Sequence, residues 1–338
     1  MTYAAGTLPY SVNVGDFNSD NRLDIVVVNS GNPNMGIFFG YGNGNFPAQV
    51  TYSVSPLISP YSVAVGDFNN DNRLDVALSD RSGSSFGVLL GNGNETFRAI
   101  ITYSTGSVSY AIAVGDFNND SKLDIVIANF ATNNIGIFLG NGNGTFGAQK
   151  TFSTSSSPYS IAVGDFNNDS RLDVAVANSA STNMGIFLGG GNGNFTAQTT
   201  FATGSSPYSL AVGDFNSDNR LDVVVVNFAN ANIGIFLSQG NGSFAAQRTF
   251  ATGSSPYSVA VGDFNNDNRL DVVVANAGSA TVSILLGYGN GSFATQMAFA
   301  SGLYPTSVVV GDFNNDTQAD IADGNSSGAS VTVFLQTC

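Results

Sequence analysis

The chain has 338 residues and a formal net charge of −14, from 24 acidic and 10 basic side chains, with 40 glycines, 26 phenylalanines, no histidine and no tryptophan. That acidity excludes a nucleic-acid partner, whose phosphates need a basic face, and the lack of histidine excludes Ser-His-Asp and Cys-His catalysis and the usual His-based zinc sites. Cys338 is the only cysteine, so an intrachain disulfide is impossible, and no apolar run approaches the roughly 18 residues of a membrane-spanning helix.

In chain order, Met1–Ser11 has neither a basic n-region nor a long apolar stretch and is not read as a signal peptide. An intracellular protein, an excised domain or a mature chain would all look like this. Thr2-Tyr-Ala-Ala-Gly6 matches Thr200-Phe-Ala-Thr-Gly204, far along the sequence. The string Gly-Asp-Phe-Asn then recurs seven times, its Asp at 16, 67, 116, 165, 214, 263 and 312, spaced by 51 and then five times by 49. Residues 1–338 therefore form one repeat domain of units of about 49 residues. In the fourth unit, the alternation of Tyr159–Val163 predicts a first strand and Asp165–Asp173 a polar loop. Val174–Ala177 reads as a second strand, Asn178–Asn183 as a loop and Met184–Leu188 as a third strand. Gly189–Asn194 is a hairpin turn rich in residues that tolerate positive φ, and Phe195–Ala202 is the fourth strand. No segment carries a 3.6-residue apolar period, so helix is essentially absent.

Four antiparallel strands per repeat of this length is the pattern of a β-propeller blade. A β-solenoid is the alternative, and the chain ends decide between them. The sequence finishes after Val331–Leu335, a third strand, and the fourth strand missing there stands at the start as Thr2–Gly6. The expectation is an all-β, seven-bladed propeller whose last blade is closed by the N-terminal strand.

Each unit carries Asp-Phe-Asn-x-Asp-x-x-x-Asp. Its first, third, fifth, seventh and ninth residues are Asp16, Asn18, Asp20, Arg22 and Asp24 in the first copy and Asp67, Asn69, Asp71, Arg73 and Asp75 in the second. The third and fourth copies carry Asp116, Asn118, Asp120, Lys122 and Asp124, then Asp165, Asn167, Asp169, Arg171 and Asp173. The fifth and sixth carry Asp214, Asn216, Asp218, Arg220 and Asp222, then Asp263, Asn265, Asp267, Arg269 and Asp271; the seventh carries Asp312, Asn314, Asp316, Gln318 and Asp320. Oxygens at positions one, three and five of a tight loop converge on one point, the seventh residue adds its backbone carbonyl and the ninth a carboxylate. Six or seven hard oxygens without nitrogen or sulfur suit Ca²⁺, up to one per blade. Asp and Asn also favour turns for their own sake, but seven copies hold 21 of the 24 acidic residues at fixed internal spacing. Carboxylates packed that closely repel unless a cation joins them.

The motif, with the run Gly136–Phe146 (Gly-Ile-Phe-Leu-Gly-Asn-Gly-Asn-Gly-Thr-Phe), resembles FG-GAP or VCBS-type repeats over nearly the whole chain. The resemblance implies the seven-bladed, calcium-binding propeller of integrin α-subunits and many secreted proteins. It places the metal between the first and second strands of a blade, in the second copy on Asp67, Asn69, Asp71, Asp75 and the carbonyl of Arg73. Integrin-type chains usually have such loops in only some blades, whereas all seven have one here. Three departures stand out. Gln318-Ala319 replaces Arg/Lys-Leu, Asp323 replaces Val, Leu or Ile, and Ser53–Pro60 carries two extra residues, read as a longer inter-blade loop.

A tyrosine precedes each first strand (Tyr10, Tyr61, Tyr110, Tyr159, Tyr208 and Tyr257, with Tyr304 shifted by one), read as inter-blade packing with a bonded hydroxyl rather than a ligand platform. The Asn ending each second strand (Asn29, Asn129, Asn178, Asn227, Asn276 and Asn325, with Asp80 in the second copy) reads as a turn-forming cap. Of the Asn-x-Ser/Thr sequons, Asn94, Asn143, Asn241 and Asn290 at hairpin turns are the better glycan acceptors, whereas Asn119, Asn168 and Asn315 lie inside the acidic loops. The function expected is a calcium-stabilised, secreted or cell-surface binding or adhesion module for a protein or glycan, since such sites fill at millimolar calcium. A lectin with repeated sites and a self-assembling structural repeat are the alternatives. Catalysis is not expected, because only Asp80, Glu95 and Asp323 are spare acids.

Overall fold

The structure, a computed structural model, describes residues 1–336; Cys338 lies outside them. Seven four-stranded antiparallel sheets account for its strands. In blade four the strands are Pro158–Gly164, Asp173–Asn178, Asn183–Phe187 and Thr199–Ala202, hydrogen-bonded in chain order. The second strand is buried along its entire length in every blade. Each lies inside a sheet covered on both faces by neighbouring blades, which is why its residues do not alternate with polar ones. Alternation survives on the first strands, which line the central channel and contact the first strands of adjacent blades. Among the described residues helix amounts to one 3₁₀ turn, Phe228–Asn230.

Blade seven combines Pro305–Gly311, Asp320–Asn325 and Ser330–Phe334 with the N-terminal Thr2–Ala4 as its outer strand. Thr2 pairs with Thr332, Tyr3 with Val331 and Ala4 with Ser330. Met1 extends the ladder: its ammonium donates to the Val333 carbonyl, and its own carbonyl accepts from Val333 N at 2.7 Å. The ring closure expected from the offset ends is thus present.

Two devices hold neighbouring blades together. At five boundaries a first-strand serine accepts a hydrogen bond from the next blade's first strand: Val63 N to Ser11 Oγ, Leu210 N to Ser160, Val259 N to Ser209, Val308 N to Ser258 and, across the closure, Val12 N to Ser307 (3.1–3.3 Å). At the periphery, the Phe of every acidic motif but the sixth meets a hairpin Phe of the next blade, as in Phe117–Phe195 and Phe166–Phe244, with centroids 5.6 and 5.8 Å apart. This contact shortens the fourth strand from the expected Phe195–Ala202 to Thr199–Ala202. Phe195 turns inward between Phe117 and Phe152 and keeps only an isolated bridge to Gly189.

Candidate metal-binding loops

Each first strand ends in a glycine followed directly by the acidic motif, so all seven loops lie at one end of the ring and the tyrosines at the other. In the first loop Asp16 Oδ1 and Asn18 Oδ1 both accept from Asp20 N, at 3.1 and 3.2 Å. Asp16 Oδ2 accepts from Asn21 N at 2.7 Å, and Asp20 Oδ1 from Arg22 N at 2.9 Å. The side chains at positions one, three and five are thus folded back over the loop's own amides, which forces positive φ on Ser19 (63°) and Asn21 (62°). Ser, Asn or Thr fills these left-handed positions in every copy. The same hydrogen bonds recur in the seventh loop, around Asp312, Asn314 and Asp316.

The ninth-position carboxylates are fully buried. Asp24 accepts from Phe17 N (2.9 Å) through one oxygen and from Gly40 N (2.8 Å) through the other, clamping the acidic loop to the end of the third strand. Asp75, Asp124, Asp173, Asp222, Asp271 and Asp320 repeat this clamp. Burial pushes the Asp24 carboxyl up to about 7, against the pull of its two amide bonds and with Asp20 and Asp16 adding repulsion. For Asp75, Asp124, Asp173 and Asp222 the same causes give about 6, and Asp271 and Asp320 move in the same direction.

These residues fit a hard cation by donor type: two oxygens already converge on one amide hydrogen, and a third sits on the next residue but one. The seventh-position cations lie outside this concavity. Arg22, Lys122, Arg171, Arg220 and Arg269 reach the fifth-position carboxylate at 3.3–4.0 Å, half in solvent, where such pairs contribute little. Among the described residues no three acidic side chains are drawn tightly enough together to hold a metal. Both oxygens of the ninth carboxylate accept from amides, and each keeps one further lone pair.

The FG-GAP-like repeat matches residues 16–78, 69–127, 116–176, 165–225, 214–274 and 263–322. The chain belongs to the FG-GAP-like repeat family. No curated protein sequence matches it. Among solved structures, BBS1N in complex with ARL6DN has a TM-score of 0.71 at 14% identity, covering 100% of this chain and 95% of that one. Virginiamycin B lyase from Staphylococcus aureus has a TM-score of 0.71 at 13% identity, covering 99% and 98%. An Agrocybe aegerita lectin, described for recognition of non-reducing terminal N-acetylglucosamine, has a TM-score of 0.63 at 18% identity, covering 86% and 80%. Identities this low show the propeller fold alone.

At the opposite end of this FG-GAP-like ring the tyrosines enter the central channel rather than the gaps between blades. Tyr61, Tyr159 and Tyr257, from alternate blades, join their hydroxyls in a closed trio, with Tyr61 2.6 Å from Tyr159 and 2.5 Å from Tyr257. A cyclic trio satisfies three donors and three acceptors without water. Burial raises all three hydroxyls, Tyr257 to about 12, so they stay protonated. Tyr10, Tyr110 and Tyr208 pack around the trio, and Arg81 lies over Tyr10 and Tyr61, 4.6 and 5.3 Å from their centroids. Tyr304 is largely exposed.

The Asn residues ending the second strands are buried crosslinks, as in Asn178 Nδ2 to Asn183 Oδ1 at 2.8 Å. Asp80 takes four amides, those of Ile58, Ser59, Ser82 and Gly83 (2.8–3.0 Å), and so organises the two-residue insertion, whose Val54 and Leu57 are buried. Asp323 is buried but not unpaired: Ser301 Oγ and Asn325 Nδ2 donate to it, and burial still pushes its carboxyl up to about 6. Glu95 is exposed at φ 63°, where the hairpins of blades one and three to six have glycine. Sequence reasoning missed the serine ladder. Its only signal was a serine after most channel tyrosines, which looks like ordinary strand polarity.

Proposed function

We propose that this protein is a calcium-stabilised binding propeller that works outside the cell, presenting its loops to a protein or glycan partner. The observation that carries the reading is the seven-fold recurrence of one loop geometry, with oxygens at positions one, three and five turned onto a common concave side. Asp16, Asn18 and Asp20, with the Arg22 carbonyl and the spare lone pairs of Asp24, would hold the ion in blade one, and the equivalent residues in the others. Bound calcium supplies positive charge that offsets repulsion between neighbouring carboxylates. The chain's own residues do the rest. The ninth Asp ties the loop to the third strand, and the fifth residue's amide orients the first and third side chains. Such loops load at the calcium concentrations found outside cells.

Binding rather than catalysis is favoured by side-chain chemistry. A histidine-to-alanine variant of virginiamycin B lyase is described as catalytically inactive, and this chain has no histidine. Asp80 is spent on four amides, and Asp323 is sealed inside a blade. Two of the three named neighbours are described with a protein partner or a sugar, which supports a partner of either kind. Calorimetric titration of the demetallated full chain with Ca²⁺ should give close to seven equivalents, and Asp165→Asn should remove one. No heat above dilution, or magnesium binding as tightly as calcium, would sink the metal assignment.

A further inference from the structure

Asn-Gly occurs seven times, always in the hairpin after a third strand, with its Asn at 43, 92, 141, 143, 192, 241 and 290. In such a pair the glycine amide, with no side chain to hinder it, can reach the asparagine's side-chain carbonyl carbon. The hairpins treat the seven pairs unequally. At five of them the glycine amide is tied to the carbonyl of a motif Phe in the preceding blade. Gly44 donates to Phe313, Gly144 to Phe68, Gly193 to Phe117, Gly242 to Phe166 and Gly291 to Phe215, at 2.8–3.0 Å. Each of these five asparagines also accepts, through Oδ1, from the amide two residues on, at 3.0–3.1 Å. Asn92 and Asn141 are different. They stand two residues earlier in the hairpins of blades two and three, where other hairpins carry Tyr41, Gly190, Gln239 and Tyr288. Among the described residues neither Gly93 N nor Gly142 N donates a hydrogen bond, and neither asparagine Oδ1 accepts one. These side chains are held by Nδ2 alone, which donates to Thr96 Oγ1 at 2.8 Å and to Thr145 Oγ1 at 2.9 Å.

We propose that Asn92 and Asn141 are sites of spontaneous deamidation, and that inter-blade hydrogen bonds protect the other five Asn-Gly pairs. Gly93 N gives up its proton to water and bonds to Asn92 Cγ; the Cγ–Nδ2 bond breaks, ammonia leaves and a succinimide closes. Water then adds to either ring carbonyl and opens it, leaving aspartate or isoaspartate with one more negative charge. Gly142 and Asn141 follow the same course. The products form in a crowded place. A Cβ at Gly93 would lie 3.0 Å from Arg73 Cδ and 3.1 Å from Ser19 Oγ, and one at Gly142 2.9 Å from Lys122 Cδ and 3.0 Å from Asn70 Nδ2. Each hairpin tip therefore sits between its own blade's acidic loop and that of the preceding blade. Isoaspartate, which lengthens the main chain by one carbon, pushes on both loops. The chemistry needs no metal and stands apart from the calcium reading.

The test is to age the full chain in warm, mildly alkaline buffer, folded and in denaturant, and to follow each Asn-Gly pair by peptide mass mapping. In the folded chain Asn92 and Asn141 should convert. The other five should lag at least about tenfold, because two hydrogen bonds must open before their amides are free. In denaturant all seven should convert at similar rates. The double variant Asn92→Ser, Asn141→Ser should keep a single charge form on isoelectric focusing while the parent splits into more acidic ones. Any of the five keeping pace with Asn92 and Asn141 in the folded chain overturns the proposal. So does survival of Asn92 and Asn141 in the folded chain while they convert in denaturant. An order of rates that persists in denaturant also overturns it, since the flanking sequence, not the hairpin, would then set the difference.

Discussion

Blade four runs without interruption from Pro158 to Ala202, whereas blade seven is assembled from Pro305–Phe334 and, from the other end of the chain, Thr2–Ala4. Both place an acidic loop of the same hydrogen-bonded geometry between the first two strands and clamp it with a buried ninth-position Asp. They differ at the outer edge. In blade four the third and fourth strands share four paired residues and a hairpin whose Phe195 wedges into blade three. In blade seven, three pairs and the Met1 ammonium do that work, and among the described residues no hairpin ring reaches blade six. The sequence departs from the repeat in the same blade, at Asp323 and Gln318. Local strand geometry therefore belongs to the repeat, while closure depends on a few non-covalent contacts in one blade.

Deleting Met1–Leu8 should be the most damaging change. It removes the outer strand of blade seven and the Tyr3 ring, which packs 6.1 Å from Phe38 and 5.6 Å from Phe46, and it leaves Val331 and Val333 on an open edge. Several ladder hydrogen bonds and the lost apolar burial together come to roughly 4–8 kcal/mol, and an open edge invites association. Calorimetry and light scattering should show a much lower melting temperature and oligomers. A monomer melting within a degree or two of the full chain would mean that closure does not hold the ring. Calcium removal comes next and acts on blades four and seven alike. With free calcium equal to Kd, each site contributes about 0.4 kcal/mol, or about 3 kcal/mol over seven. A melting curve indifferent to chelator would contradict the metal reading without touching the closure.

Asp323 offers a sharper test within blade seven. Its carboxyl holds a proton up to about 6 in the fold, against an ordinary value of 3.8, because it is buried. The folded state therefore binds more protons than the unfolded one between those values. The resulting stabilisation is complete below about pH 4 and is lost as pH rises through about 6. Asp323→Val restores the residue type of the other blades, at the cost of the Ser301 and Asn325 bonds. The stability difference, variant minus parent, should rise by up to about 3 kcal/mol from pH 4 to pH 8. A difference that stays flat over that range would mean that the carboxyl is not buried as described.

Most of the architecture was legible because seven copies average out the ambiguity of any one. Turn glycines, strand alternation and the offset ends each pointed to the same ring. The acidic loop was legible as a motif, but the division of labour inside it was not. Nothing in the spacing distinguishes Asp165, which caps loop amides, from Asp173, which is buried between strands; only the fold of the third strand, arriving at Gly189, separates them. The tyrosines repeat once per blade, yet a central channel of this width admits three ring tips at its axis, so alternate copies take different roles. A repeat read alone assigns them all one role.

The smallest expected effect separates the acidic loops of blades four and seven themselves. Arg171 lies 4.0 Å from Asp169 in blade four, whereas blade seven has the neutral Gln318 at that position, the one copy without a cation there. A unit positive charge roughly 6–8 Å from a divalent ion, in a dielectric near that of water, opposes binding by on the order of 1 kcal/mol, about fivefold in Kd. The seventh loop should therefore be the tightest of the seven, and a calcium titration at low salt should resolve one strong step ahead of six weaker ones. Gln318→Arg should merge that step with the rest, and Arg171→Gln should create a second strong one. Both effects should shrink as ionic strength rises and the Debye length falls to about 8 Å. If Gln318→Arg leaves the strong step in place while Asp312→Asn abolishes it, the extra affinity comes from the closing blade's geometry rather than from its charge.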